Sequence, residues 1–220
     1  GKNVTSVNLA LANGSGSASN YSINSLTAEI TGKPVTISGS RLYDSTTTAS
    51  SSILTVTSGV SGESLSLTGS GVLGAASAGT QTITNNNTLA IADGSGGLAS
   101  NYTLSGATIN VTIIPRTLNV TLSREYDGTT AVSGASLTPT FDSLQGGETL
   151  ALSGTGSVST ANVGSSKAVS LGSIALVAGS GNPSNYSLNS ATMNITQRVI
   201  NLDGIRAYDA TTNVLSSDIN

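Results

Sequence analysis

Apolar and polar residues alternate singly over short stretches of the chain. Leu118, Val120 and Leu122 are separated by Asn119, Thr121 and Ser123, and Ile109, Val111 and Ile113 are interleaved with polar residues across positions 108–114. A period of two predicts strands with one buried face, and no window sustains the 3.6-residue period of a helix. Ser105-Gly106 and Asn189-Ser190 each stand between a Tyr-x-Leu triplet and a longer alternating run, where the pattern predicts tight hairpin turns. Short strands with turn residues at about eight- to twelve-residue intervals favour a sandwich. The predicted fold class is all-β, with small β-sandwich-like (Ig-like) domains in an elongated tandem array. The alternative is a β-grasp-like unit with four longer strands and one short helix near residues 141–146.

The pattern recurs. Ser-Asn-Tyr occurs at 19–21, 100–102 and 184–186, and Arg-x-Tyr-Asp at 41–44, 124–127 and 206–209. The spacings, 81 and 84 for the first motif and 83 and 82 for the second, define a tandem repeat. Gly62-Glu63-Ser64-Leu65 matches Gly147-Glu148-Thr149-Leu150, and Lys167-Ala168-Val169-Ser170 resembles the stretch from Lys2. These matches divide the chain into the C-terminal part of a preceding repeat (1–30), two complete repeats (31–113 and 114–196) and the N-terminal part of a following one (197–220), an excerpt from a longer array. Linkers of a few residues make such an array semi-rigid.

Composition narrows the chemistry. Of the 220 residues, 68 are Ser or Thr, with no Cys, His or Trp and a single Phe. Without His or Cys, Ser-His and Cys-His catalysis and the usual zinc, copper, haem and iron-sulfur ligand sets are excluded. Eight basic residues against eleven acidic ones supply no surface for a run of phosphates, so no nucleic-acid partner is expected. No stretch approaches the roughly 18 apolar residues of a membrane span. No cofactor or metal is expected; Asp93-Gly94-Ser95-Gly96-Gly97 looks like a calcium turn, but its counterparts at Asn13 and Gly179 lack the acid.

The distinctive residues fall in the two motifs. All six tyrosines do: Tyr21, Tyr102 and Tyr186 in Ser-Asn-Tyr, Tyr43, Tyr126 and Tyr208 in Arg-x-Tyr-Asp. Exposed rings would suit a glycan platform. In a domain without Trp they equally serve as core fillers with the hydroxyl satisfied at the rim, the reading that recurrence favours. Arg41, Arg124 and Arg206 share a strand face with the Tyr two residues on, placing the guanidinium over the ring or against the following carboxylate of Asp44, Asp127 or Asp209. Those aspartates sit where Asx-turns are expected. Together these twelve residues are the structural signature of the repeat. Glu63 and Glu148 are the other acids held in register, one per repeat, too few for a glycosidase pair.

Arg124-Glu125-Tyr126-Asp127-Gly128-Thr129-Thr130, the Gly-Glu-Thr-Leu stretch from Gly147, residues 161–167, Ser184-Asn185-Tyr186-Ser187-Leu188 and the closing Asn194-Ile195-Thr196-Gln197 resemble, in that order, the YDG-type repeat of large secreted bacterial surface proteins, filamentous-haemagglutinin-like adhesins of the two-partner secretion type. Ser45 and Ala210 stand where that pattern has Gly128, so the turn is expected to differ between repeats. The resemblance implies a non-enzymatic stalk or spacer on a secreted or cell-surface adhesin, projecting a distal binding region for attachment or biofilm formation. Its implied partners are neighbouring repeats, an outer-membrane secretion partner for the parent, and a host or matrix glycan or surface receptor met by other regions, with no membrane insertion. The alternative is a repeat that itself binds a glycan or matrix polymer weakly and gains strength through copy number.

Overall fold

The computed structural model describes residues 2–3, 10–24 and 27–219. The sequence match from Lys2 runs into residues outside these. The chain is all-β: among the described residues the only helices are single 3-10 turns, and none is long and apolar enough to cross a membrane. Two compact units are present, one of residues 1–41, 47–76 and 80–113, the other of Leu42–Thr46, Ser77–Gly79 and 114–220. Two short pieces of first-repeat sequence thus belong to the second unit.

In the second unit a six-stranded sheet runs in the order Ala131–Ser133, Thr155–Val158, Gly164–Ser170, Tyr186–Thr196, Arg116–Glu125, Thr140–Phe141. Its two long strands, Arg116–Glu125 and Tyr186–Thr196, are parallel neighbours. Their alternating apolar residues are buried: Leu118, Val120, Leu122, Met193 and Ile195 are all 2% exposed or less, the last four in one cluster. A two-stranded ribbon, Leu150–Ser153 with Ala175–Ala178, contributes Leu152 and Leu176 to the same cluster as Val120 and Met193. Ser, Thr and Asn fill the outward positions, where uncharged polar side chains meet water without repelling each other along the strand.

The first unit repeats this arrangement. Its sheet order is Thr48–Ser50, Ser70–Leu73, Gly79–Asn85, Tyr102–Ile114, Lys33–Leu42, Leu54–Thr57, with the ribbon Leu65–Thr68 and Ala90–Asp93. Val35, Ile37, Val111 and Ile113 are buried, as the alternation predicts. Leu65, Leu67 and Ile91 of the ribbon pack against the cluster holding Val35 and Ile37.

Two expectations are corrected. Ser105-Gly106 and Asn189-Ser190 are not hairpin turns; each lies inside one unbroken strand, Tyr102–Ile114 and Tyr186–Thr196. Opposite Asn189 the ladder steps from Leu118↔Leu188 to Asn119↔Ser190, so Asn189 is the extra residue of a bulge. Asn119 Oδ1 holds it in place, accepting from Asn189 Nδ2 at 3.0 Å and Ser190 Oγ at 2.7 Å. In the other strand Gly106, the counterpart of Ser190, has a φ of 73°. Turn-forming residues serve a bulge as readily as a turn, since both need one locally irregular backbone step. The helix of the β-grasp alternative is also missing: Thr140–Phe141 is a strand, and residues 142–146 are a bend, irregular chain and the start of a turn.

Gly69 and Gly154 occupy matching tight turns beside the ribbons. A Cβ would come within 2.0 Å of the Thr88 carbonyl oxygen at Gly69 and 2.1 Å of the Ser173 carbonyl oxygen at Gly154, both with positive φ. Gly147 also has a positive φ, but with open space around it. Gly147→Ala is therefore expected to cost only its backbone strain, about 1–2 kcal/mol, while Gly154→Ala, which must displace backbone, costs about 3 kcal/mol or more. Urea unfolding of the two variants checks this; equal losses would mean the close approach to Ser173 carries no energy.

Candidate functional site

Glu148 follows Gly146 and Gly147, whose φ values of 59° and 72° carry the chain into the strand Leu150–Ser153. Tyr186 opens the long strand Tyr186–Thr196, directly after the 3-10 turn Pro183–Asn185, which Asn182 caps by accepting from Ser184 N at 3.0 Å. Tyr43 enters from the segment Leu42–Thr46; its N–H donates to Ile114 O and its carbonyl accepts from Arg116 Nε, each at 2.9 Å. These elements bring two phenols to one carboxylate. Tyr43 donates to Glu148 Oε1 and Tyr186 to Glu148 Oε2, both at 2.6 Å. The two rings meet edge to face with centroids 5.3 Å apart.

This hub is largely shielded from water, with Tyr43 at 3% and Tyr186 at 5% exposure. Burial, reinforced by the Glu148 carboxylate that each hydroxyl donates to, raises the Tyr43 phenol above its ordinary pKa and pushes Tyr186 up to about 12. Beside it Asn185, 4% exposed, accepts from Ala78 N at 2.9 Å. The segments Leu42–Thr46 and Ser77–Gly79 are thus both tied into the site of their own unit.

The first unit carries the same pair with a different outcome. Tyr102 donates to Glu63 Oε2, which with burial raises its pKa. Among the described residues no second phenol reaches Glu63, and Asn101, the counterpart of Asn185, is exposed. The space is a cleft of about 620 Å³, lined by residues 30–33, Val60, Glu63 and residues 100–102.

The tyrosines therefore divide. Tyr43, Tyr102 and Tyr186 are buried with hydroxyls on glutamate, whereas Tyr126, Tyr21 and Tyr208 are 40%, 69% and 92% exposed. The expectation of ring burial thus describes three of them. Of the two geometries open to the arginines, pairing with the following Asp is found: Arg124 meets Asp127 at 2.9 Å and Arg206 meets Asp209 at 2.5 Å. Arg124 does more than pair, donating to Thr129 O at 2.5 Å and Ala131 O at 2.7 Å, so it closes the turn on its carbonyls. Each Asp accepts from the N–H two residues on, at Thr46, Thr129 and Thr211, the Asx-turn that the sequence predicts. That backbone hydrogen bond leads the effects lowering the Asp127 and Asp209 pKa values. Asp93 has a loop-closing role, accepting from Ala99 N at 2.7 Å as Asn13 does from Ala18 N at 2.7 Å. Among the described residues no group of three or more acidic side chains is placed to hold a metal.

What the sequence reading did not find is the union of Glu148 with Tyr43 and Tyr186. Its signal was present: one acid and two phenols per repeat, in fixed register, in a core with almost no other large side chain.

The YDG domain family model matches twice, over residues 27–111 and 112–193. The chain belongs to the YDG domain family. No curated protein and no solved structure matches it.

Only the second YDG repeat carries the literal Tyr126-Asp127-Gly128 triplet, yet the turn is the same in every copy. Ser45, Gly128 and Ala210 have φ of 63°, 76° and 66°. The expected divergence is thus corrected: the Asx hydrogen bond, present in all three copies, holds the following residue left-handed whatever its side chain.

Two outcomes follow for the YDG repeats. Ser45→Gly should stabilise by about 1 kcal/mol and Gly128→Ala destabilise by a similar amount, read as opposite shifts in urea midpoint. The Tyr186 phenol keeps its proton to about pH 12 in the fold, against about 10 for an unfolded tyrosine. Between those values the folded state binds more protons, so its contribution is complete below pH 10 and lost as pH rises towards 12. Absorbance at 295 nm should show a late-ionising component that Tyr186→Phe removes.

Proposed function

We propose that these YDG repeats are structural spacer units, the stalk of a secreted or surface-attached bacterial adhesin that projects a distal binding region for attachment or biofilm formation. One observation carries this reading: the recurring polar groups of the second unit are occupied internally. Both oxygens of Glu148 take phenols of the same unit, and the two terminal nitrogens of the Arg124 guanidinium are bound to its own turn. A scaffold uses its functional groups in this way, whereas a ligand site keeps some in reserve. The reading assigns the repeats no catalytic role. The motif-by-motif resemblance to filamentous-haemagglutinin-like proteins supports export through an outer-membrane secretion partner, with glycans or receptors contacted by other regions of the parent.

A second reading is favoured by the open Glu63–Tyr102 cleft, whose carboxylate and exposed Asn101 are groups that hydrogen-bond sugars. It makes each repeat a weak glycan- or matrix-binding module acting through copy number.

Exchanging the repeats within the parent separates the two. Under the spacer reading, removing repeats weakens attachment, and an unrelated rigid β-sandwich array of equal length restores it. Under the binding reading only YDG repeats restore it, and a two-repeat fragment binds glycan saturably; that pair of results would overturn the spacer reading.

A further inference from the structure

The chain passes between the two compact units five times, after residues 41, 46, 76, 79 and 113. Independent repeats in a row need one passage, at the linker. The others arise because Leu42–Thr46 and Ser77–Gly79, both first-repeat sequence, leave the first unit, enter the second and return.

Tyr43 is spent on the second repeat with every group it has. Its N–H, carbonyl, hydroxyl and ring meet Ile114 O, Arg116 Nε, Glu148 Oε1 and the Tyr186 ring. Asp44 shapes the turn behind it, accepting from both the N–H and the hydroxyl of Thr46 at 2.9 Å. Within that turn Ser45 lies against Gly146, where a Cβ would stand 2.7 Å from Ser45 Oγ. Ala78 N reaches the buried Asn185 at 2.9 Å. Without these two segments, Glu148 Oε1, Arg116 Nε and Asn185 Oδ1 would each lose the partner they have, and an unfilled polar group in a shielded site is costly. The second repeat therefore closes its polar hub with residues that its own sequence does not contain.

We propose that the Arg-x-Tyr-Asp turn, with the segment Ser77–Gly79, is a clasp by which one repeat completes the fold of the repeat that follows it. The partner of the Glu148 hub is thus the preceding repeat, and stability passes in one direction, from each repeat to its C-terminal neighbour. The second repeat carries the same device: Tyr126 N–H donates to Thr196 O as Tyr43 N–H does to Ile114 O, and Asp127 closes the same Asx-turn. Repeats joined in this way unfold as coupled neighbours instead of singly. The coupling holds for spacer and binding repeats alike, so it stands apart from the choice between those readings.

Amide hydrogen exchange of the full chain, resolved by peptide, tests where the effect of the clasp is felt. Tyr43→Ala lies in first-repeat sequence, yet it should speed exchange in the second-unit strands Leu150–Ser153 and Tyr186–Thr196 by about tenfold or more. The first-unit strands Leu54–Thr57, Leu65–Thr68 and Ala90–Asp93 should stay within about twofold of wild type. Tyr126→Ala changes the same motif in the second repeat and should leave Leu150–Ser153 at the wild-type rate, because the clasp acts forward only. If the alanine variant of Tyr43 melts as a whole, Tyr43→Phe takes its place; it keeps the ring, loses the bond to Glu148, and should speed the same second-unit strands by about fivefold. Second-unit exchange that is unchanged in the Tyr43 variant, acceleration centred on the first unit, or an equal effect of Tyr126→Ala on Leu150–Ser153 would overturn the proposal.

Discussion

Where Arg116–Glu125 lies parallel to Tyr186–Thr196, ten residue pairs join strands whose first partners are seventy positions apart. Closing a loop of that length costs on the order of 4 kcal/mol of chain entropy before any contact compensates. Leu118, Val120, Leu122, Met193 and Ile195 offset it, since a fully buried aliphatic side chain contributes about 1.5–3 kcal/mol. Everything else in the repeat is arranged around this pair: the remaining strands extend the sheet on either side, and the ribbon of Leu150–Ser153 and Ala175–Ala178 covers the face that it makes apolar.

The same pairing fixes the polar chemistry. Tyr186 and Arg116 stand opposite each other at the start of the ladder. There Arg116 holds the carbonyl of Tyr43 while Tyr186 shares Glu148 with the Tyr43 hydroxyl. A partly buried carboxylate gains from having its acceptor capacity filled, and two phenols occupy both oxygens. With no Trp and one Phe in the chain, the tyrosines supply both the bulk and the hydrogen bonds at this edge of the core.

Strand identity and the buried face were legible because alternation is a local property: Leu118, Val120 and Leu122 declare their face from spacing alone. The bulge at Asn189 was not, because Asn-Ser and Ser-Gly permit an irregular backbone step without saying whether the chain reverses there. That depends on the partner strand, which lies far off in sequence. The Asx-turns were legible from Asp44, Asp127 and Asp209, whereas the left-handed φ at Ser45 and Ala210 was not, since the side chains there give no hint of it. The Glu148 hub was hidden for the same reason as the bulge. It joins residues 38 and 105 positions away from the carboxylate, and no local pattern encodes such a meeting.

The seventy-residue reach of the parallel pair also sets an order of events. A chain delivered from its N-terminus presents Arg116–Glu125 long before Tyr186–Thr196 is available, so a repeat cannot complete its core until its last strand arrives. During that wait the waiting strand has open edges and a naked apolar face, the usual invitation to aggregate. Its interleaved Thr, Asn and Ser, and the scarcity of aromatic residues, lower that hazard. The composition that makes the folded repeat chemically plain thus also makes its unfinished chain tolerable.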